Sequence, residues 1–331
     1  FIPLIITLIG LSTVLTIYVG GLEVFKGNIS AGNIAEFIIY VNMLAWPVAS
    51  IGWVTSLIQR AAASQERINE FLKITPRIVN YNERNTTIKG DIKFDNVQLI
   101  YKDTEISALN KLSFNIKEGE TLGVFGKTGS GKSTIANLIC RILESTEGNI
   151  YYNNISIKDL NLNNLRSSIG YIPQDGYLFS GTIKENIAFS SDVIDEKKIK
   201  IAATKADIID EINKFPDGFN TIVGERGVQL SGGQRQRLAI ARAFYKDPDI
   251  YIFDDCLSAV DANKEKEILN NLKIETQNKT TIIISHRIAT LQNADKIIVI
   301  DKGVLIDKGT HEELSLKSGF YQDIFKSQTE K

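Results

Sequence analysis

The chain has 331 residues, 43% of them hydrophobic, which is enough for one sizeable core with apolar sequence left over for a membrane hairpin. A formal net charge of -1, from 38 basic and 39 acidic residues, gives no basic surface of the kind nucleic-acid binding requires. The two cysteines, Cys140 and Cys256, are read as reduced thiols of a cytoplasmic domain, not as a disulfide framework.

In chain order, residues 1–19 carry no charge and are long enough, at about 1.5 Å per residue, to cross about 30 Å of hydrocarbon. A signal peptide would want a basic n-region and a small-residue cleavage site, and neither is visible. Residues 37–59 form a second uncharged stretch, interrupted by Pro47, which a membrane helix tolerates where neighbours satisfy the freed carbonyl. Trp46 and Trp53 within it are read as core or lumen-lining residues. Arg60 and Arg67 follow the second span, whereas residues 20–33 between the spans carry one Glu and one Lys, Glu23 and Lys26, before Glu36, so the positive-inside tendency puts the later end in the cytoplasm. Two spans alone do not enclose a substrate path. Residues 61–72 continue as a polar, Ala-rich helix, and Thr75-Pro76 with the Asn-rich stretch 80–85 marks a linker. The expected organisation is a membrane-associated segment over 1–74, a linker over 75–90 and one cytoplasmic domain over 91–331.

The strongest motif follows. Gly126-Lys127-Thr128-Gly129-Ser130-Gly131-Lys132-Ser133-Thr134 is a phosphate-binding loop, preceded by an apolar strand over 121–125 and followed by helical spacing over 133–143. Its glycines let successive amide N–H groups point inward as an anion nest at a helix N-terminus. Lys132 can then reach the β- and γ-phosphates, and the Ser133 hydroxyl can take one Mg2+ position. The residues after Gln174, to about 245, read as helix-rich, with turns at Gly181-Thr182 and Pro216-Asp217-Gly218. They contain Leu230-Ser231-Gly232-Gly233-Gln234, which opens a helix over 234–245 on which Arg235 and Arg237 read as polar positions. A second apolar strand, 250–253, ends in Asp254-Asp255 and puts a carboxylate beside the phosphate loop, with Asp254 as the Mg2+ ligand. His286 follows the apolar run 281–284, where it is either a core-edge histidine bonded to backbone or a donor to a γ-phosphate oxygen. Strands over 296–300 and 304–307 complete a mixed sheet. Thr310 then caps a helix with Glu313 three residues on, so His311 has no chemistry assigned.

Together these motifs make residues 91–331 resemble the complete nucleotide-binding domain of an ABC transporter, and residues 1–74 resemble the last two membrane helices of an ABC exporter. The fold this implies is an α/β P-loop NTPase with a RecA-like core, an antiparallel β subdomain and a helical subdomain, preceded by two transmembrane helices of an all-α membrane domain. By the same resemblance, Leu230, Ser231, Gly232, Gly233 and Gln234 are the signature that caps the γ-phosphate held by the opposite subunit. Tyr101 is the aromatic that stacks on adenine, Gln174 contacts Mg2+ and senses the membrane domain, and His286 is the switch histidine. Asp261, in Ser258-Ala259-Val260-Asp261, is the loop coupling the two sites, and Gly224-Glu225-Arg226-Gly227 meets cytoplasmic loops. The chain opens on Phe1 in mid-hydrophobic sequence, so four further helices are expected upstream.

One position departs from the family. Glu normally follows the Mg2+ aspartate as general base or water polariser, and here that position is Asp255. The shorter side chain withdraws the carboxylate by roughly 1.5 Å, a misplacement that can lower a rate about a hundredfold. The turn, which continues as Cys256-Leu257, resembles the degenerate half of heterodimeric exporters. The expected protein is one half of a dimeric, ATP- and Mg2+-dependent exporter in a bacterial inner or plasma membrane. Lys132, Gln174, Asp255 and His286 form its catalytic set, and its partners are a second half-transporter, the lipid bilayer and a transported small molecule, lipid or peptide. A homodimer with two slow sites is the alternative. Other classes are DNA-repair or ribosome-associated ABC ATPases, argued against by the uninterrupted motif spacing and the fused spans, and importer ATPases, argued against by the same spans.

Overall fold

The computed structural model describes residues 2–80, 82–83, 88–224, 229–257, 262–317 and 319–329. Expectations for Asp261 and its three preceding residues, and for Glu225, Arg226 and Gly227, lie outside the described residues. The chain divides into two compact units, residues 1–77 and 78–331.

In the first unit, helices α1 (Ile2–Phe25) and α2 (Ala31–Leu72) are each long and apolar enough to cross a membrane. Gly20 lets them approach, since a Cβ there would lie 2.9 Å from Ile34 Cγ1. Helix α2 runs unbroken through Pro47, whose missing N–H frees the Met43 carbonyl. Trp46 and Trp53 are 72% and 61% exposed, so neither is buried within this unit.

The second unit starts with strands β1 (Ile92–Tyr101) and β2 (Ile106–Ile116), then β3 (Thr121–Gly126) and helix α3 (Lys132–Ile139). Strands β4 (Glu147–Tyr152) and β5 (Ile155–Ser156), helix α4 (Leu162–Ser167) and strand β6 (Ile169–Ile172) follow. Next come β7 (Gly181–Thr182), α5 (Ile183–Ile187), α6 (Glu196–Lys205), α7 (Ile209–Ile212), β8 (Ile222–Val223) and α8 (Gly232–Lys246). The chain closes with β9 (Ile250–Asp254), α9 (Ala262–Glu275), β10 (Thr280–Ser285), α10 (Ile288–Leu291), β11 (Lys296–Asp301), β12 (Val304–Gly309), α11 (His311–Leu316) and α12 (Phe320–Thr329).

These strands build a six-stranded sheet in the order β12-β11-β3-β10-β9-β6, parallel except for β12, and a four-stranded antiparallel sheet in the order β2-β1-β4-β5. The central strands are buried along nearly their whole length because both faces are covered, so they show no period-2 alternation. Between the two sheets, Ile92, Leu109, Leu122, Val124, Ile135 and Ile282 share one fully buried cluster. A second cluster joins α5, α6 and α8 through Ile183, Ile187, Ile199, Ala203, Leu238 and Ile240.

Three local features differ from the sequence expectation. Helix α3 stops at Ile139 because Arg141 adopts a left-handed φ of 48°, and the Ile142 N–H turns back to the Asn137 carbonyl at 2.8 Å. Gly181-Thr182 is no free turn: it pairs with Val223 and Ile222, and Thr182 caps α5 with Glu185. Helix α8 begins at Gly232 because Ser231 is its N-cap.

Arg237 on α8 is not a solvated position. It is 5% exposed, and its Nη2 donates to both Glu211 oxygens at 2.8 and 2.9 Å while Lys264 Nζ donates to the same carboxylate at 2.7 Å. Partial burial would raise the Glu211 carboxyl, but the bonds from Lys264 and Arg237 outweigh it and hold the group down at about 2. A folded-state value below the ordinary 4.5 means that the pairing stabilises fully above pH 4.5 and is lost as pH falls toward 2. Glu211→Gln is therefore expected to lose on the order of 1–2 kcal/mol at neutral pH, a figure reduced for solvent screening, with the gap to wild type closing toward pH 2. Urea titrations of both proteins across that range measure it; a gap independent of pH would contradict the assignment.

Candidate functional site

Four parallel strands deliver the candidate residues at their carboxyl ends, where open α/β sheets bind ligands. Strand β3 leads into the phosphate loop, β6 into Gln174, β9 into Asp254 and Asp255, and β10 into His286. Their side of the sheet holds a hollow of about 480 Å3 lined by Tyr101, Lys132, Ser133, Gln174, Asp254 and His286, among others.

The loop has the backbone that its glycines were expected to allow. Gly129 and Gly131 sit at φ 79° and 100°, and Gly131 leaves no room for a side chain, since a Cβ would come within 2.5 Å of the Ala108 carbonyl oxygen. Lys132 Nζ donates to the carbonyls of Gly126 and Lys127, each at 2.8 Å, closing the loop around its ammonium. Burial lowers the Lys132 value, with Asp255 and Asp254 pulling the other way.

Asp254 is 3% exposed and is gripped from two sides, by Ser133 Oγ on Oδ1 at 3.0 Å and by the Tyr171 hydroxyl on Oδ2 at 3.1 Å. Burial raises its carboxyl, and the bonds from Ser133 and Tyr171 resist that rise. Ser133 and Asp254 present only hard oxygen donors, so they fit Mg2+, which takes one or two protein ligands and completes its shell with phosphate oxygens and water.

The next residue, Asp255, takes a left-handed φ of 47°, with its N–H bonded to the Ile284 carbonyl at 2.9 Å. Both its carboxylate oxygens stand 3.0 Å from His286 Nδ1. The carboxylate is 15% exposed and the imidazole 48%. His286 also lines the hollow, so its ring stands there beside an acid.

Tyr101, 37% exposed, reaches Thr134 Oγ1 with its hydroxyl at 3.3 Å. The Gln174 carbonyl accepts from Gln236 Nε2 of α8 at 3.1 Å. Leu230, Ser231, Gly232, Gly233 and Gln234 are absent from the residues lining the phosphate-loop hollow. Ser231 and Gln234 instead exchange capping bonds, Ser231 N–H to Gln234 Oε1 at 2.8 Å and Gln234 N–H to Ser231 Oγ at 3.2 Å. Leu230 and Gly232 line a separate groove with Gln174, Tyr177 and Arg235. His311 bonds the Tyr321 hydroxyl through Nδ1 at 2.9 Å, with Thr310 and Glu313 forming the expected capping box, and is not among the residues lining the hollow. Cys140 and Cys256 are buried and free, and burial raises the Cys140 thiol to about 12.

Sequence reasoning missed Tyr171 as the second hand on Asp254. Its only signal was a hydroxyl-bearing ring on an otherwise apolar strand. It missed Arg242 as well, which bonds the Asn186 carbonyl at 2.8 Å and lies over the rings of Phe179 and Phe189 at 5.5 and 5.6 Å.

Residues 109–258 match the family model described as ABC transporter. The chain is 38% identical over 329 residues to the probable multidrug resistance ABC transporter ATP-binding/permease protein YheI of Bacillus subtilis (strain 168), covering 99% of this chain and 56% of that protein. It is 37% identical over 328 residues to the multidrug resistance-like ATP-binding protein MdlA of Escherichia coli (strain K12), covering 99% and 56%. The ATP-dependent lipid A-core flippase of Shewanella oneidensis is 37% identical over 329 residues, covering 98% and 55%. Among solved structures, a bacterial Atm1-family ABC exporter with ATP bound superposes with a TM-score of 0.79 at 31% identity, covering 98% of this chain and 57% of that one. The chain thus spans about half the length of the curated relatives it matches.

Proposed function

Since the chain carries an ABC transporter ATPase domain behind two apolar helices, we propose that it is one half of a dimeric exporter in which ATP binding and hydrolysis drive transport across a membrane. The single observation that carries this reading is the separation within one chain of the phosphate-loop hollow from the 230–234 segment, so that each nucleotide site is completed by a second chain. The exposed start of α8 offers N–H groups and the positive end of a 15-residue helix to a γ-phosphate held by that partner.

Within its own half, the loop amides and Lys132 hold the phosphates, and Tyr101 offers its ring face to adenine. Ser133, Asp254 and Gln174 would hold Mg2+, which when bound would supply neutralisation of phosphate charge. Asp255 positions water for in-line attack, and His286, beside it at 3.0 Å, donates to a γ-phosphate oxygen. Asp255 is one methylene short, and its two oxygens are engaged by His286, which supports a slow site here and a heterodimer with a partner bearing Glu at that position. Closure of the two ATPase domains around nucleotide then biases the attached helices toward an outward-open state, and hydrolysis resets them. Relatives named for multidrug resistance and for lipid A-core flipping favour a hydrophobic or amphipathic cargo. We place the helices in the bacterial plasma membrane and the ATPase domain in the cytoplasm, with Asp261 coupling the paired sites.

A photoreactive group at Ser231 in the full-length protein is expected to crosslink, only with ATP and Mg2+, to the phosphate-loop peptide of another chain. Crosslinks confined to one chain under those conditions would overturn the reading.

A further inference from the structure

The loop that carries His286 is held from outside by a residue to which no role attaches so far. Gln328, in the last full turn of α12, donates from Nε2 to the His286 carbonyl at 3.0 Å and accepts the Ile288 N–H on Oε1 at 2.9 Å. One side-chain amide thus grips the backbone on both sides of Arg287. The imidazole of His286 is 48% exposed, so its position against Asp255 depends on the backbone that carries it, which this clamp holds together with the Arg287 N–H bond to Ser285 Oγ at 3.0 Å and the Arg287–Glu265 ion pair at 2.6 Å.

The helix that supplies the clamp is registered to the phosphate loop. Phe125, at the end of β3, packs edge-on against Tyr321 at 5.1 Å and against Phe320 at 5.9 Å, and Lys127 of the loop lies over the Phe320 ring at 5.1 Å. Tyr321 is 2% exposed and further tied to His311. The start of α12 therefore reads the position of the phosphate loop, and its end sets the position of the histidine.

We propose that Gln328 is a positioning residue for ATP hydrolysis, holding His286 at a fixed distance from the phosphate loop through α12. The proposal rests on the assignment of this site to ATP hydrolysis in the preceding section. It touches no nucleotide, so ATP affinity should be untouched while turnover falls.

The test uses full-length protein, with its membrane region and with a partner whose own site is inactivated so that turnover reports this chain's site, carrying Gln328→Met, His286→Ala or both. Met fills the same space without either hydrogen bond. Gln328→Met is expected to lower kcat about tenfold with KM for ATP within about twofold, because misplaced catalytic groups lose rate and not binding. In the His286→Ala background the same change should alter kcat less than about twofold, since the two residues then act as one unit. Amide exchange at Ile288 should accelerate about tenfold while the amide of Tyr321 keeps its protection, which separates loss of the clamp from unfolding of α12. An equal loss of kcat in both backgrounds, or unchanged exchange at Ile288, overturns the proposal. A wild-type protein that binds ATP without turning it over would sink the functional assignment instead, and Ile288 exchange would still decide whether Gln328 holds the loop.

Discussion

Lys132→Ala is expected to abolish ATP turnover at this chain's site, by at least a hundredfold and up to about a thousandfold, the range seen when one preorganised charge-stabilising donor is removed. The ammonium does two jobs that alanine cannot. It bonds the carbonyls of Gly126 and Lys127 at 2.8 Å each, so the loop keeps its curl, and it brings a positive charge to where β- and γ-phosphate oxygens would sit. Its partial burial makes that charge count for more than a surface lysine would. Lys132→Arg should recover little, because a planar fork is a poor replacement for a compact ammonium inside a closed loop. The measurement is ATPase activity of the membrane-reconstituted protein, paired with a partner whose own site is inactivated so that turnover reports this chain's site, beside a thermal melt. Retention of a tenth of wild-type turnover in a folded variant would contradict the assigned role.

Asp255→Glu is expected to act in the opposite direction, raising turnover at this site by up to about a hundredfold. The backbone at 255 is pinned by its N–H to the Ile284 carbonyl and by a left-handed φ, so lengthening the side chain cannot be absorbed by a shift of the main chain. The extra methylene instead carries the carboxylate about 1.5 Å farther into the hollow, off its two-oxygen contact with His286 and toward the place of the attacking water. The KM for ATP should stay within about twofold, since binding rests on the phosphate loop. Single-turnover hydrolysis compares the two proteins directly; equal and rapid rates would end the case for a slow site.

The phosphate-loop sequence, the acid-ended strand beside it and their place in a parallel sheet were legible because each rests on local constraints. Glycine is required where φ is positive, and an apolar strand ending in acid has few other uses. His286 was legible as a position but not as a contact. Its pairing with Asp255 depends on the adjacency of β9 and β10 in the sheet, which no local spacing encodes. The end of α3 was misjudged for a similar reason. Residues 140–143 keep helical spacing, yet Arg141 turns into a left-handed conformation so that its guanidinium can bond Glu144 and the Val79 carbonyl. Arg237 reads only as a polar position of its helix, and its burial follows from the arrival of Glu211 and Lys264 from elsewhere in the chain.

Gln174 lines both the phosphate-loop hollow and the groove beside the start of α8, and its own carbonyl is tethered to that helix by Gln236. A displacement of α8, whatever sets it off, therefore has a direct route to the nucleotide hollow through this peptide group. Movement of the helical segment and events at a bound phosphate share it as a common joint, and loosening it should weaken that link while leaving each half intact.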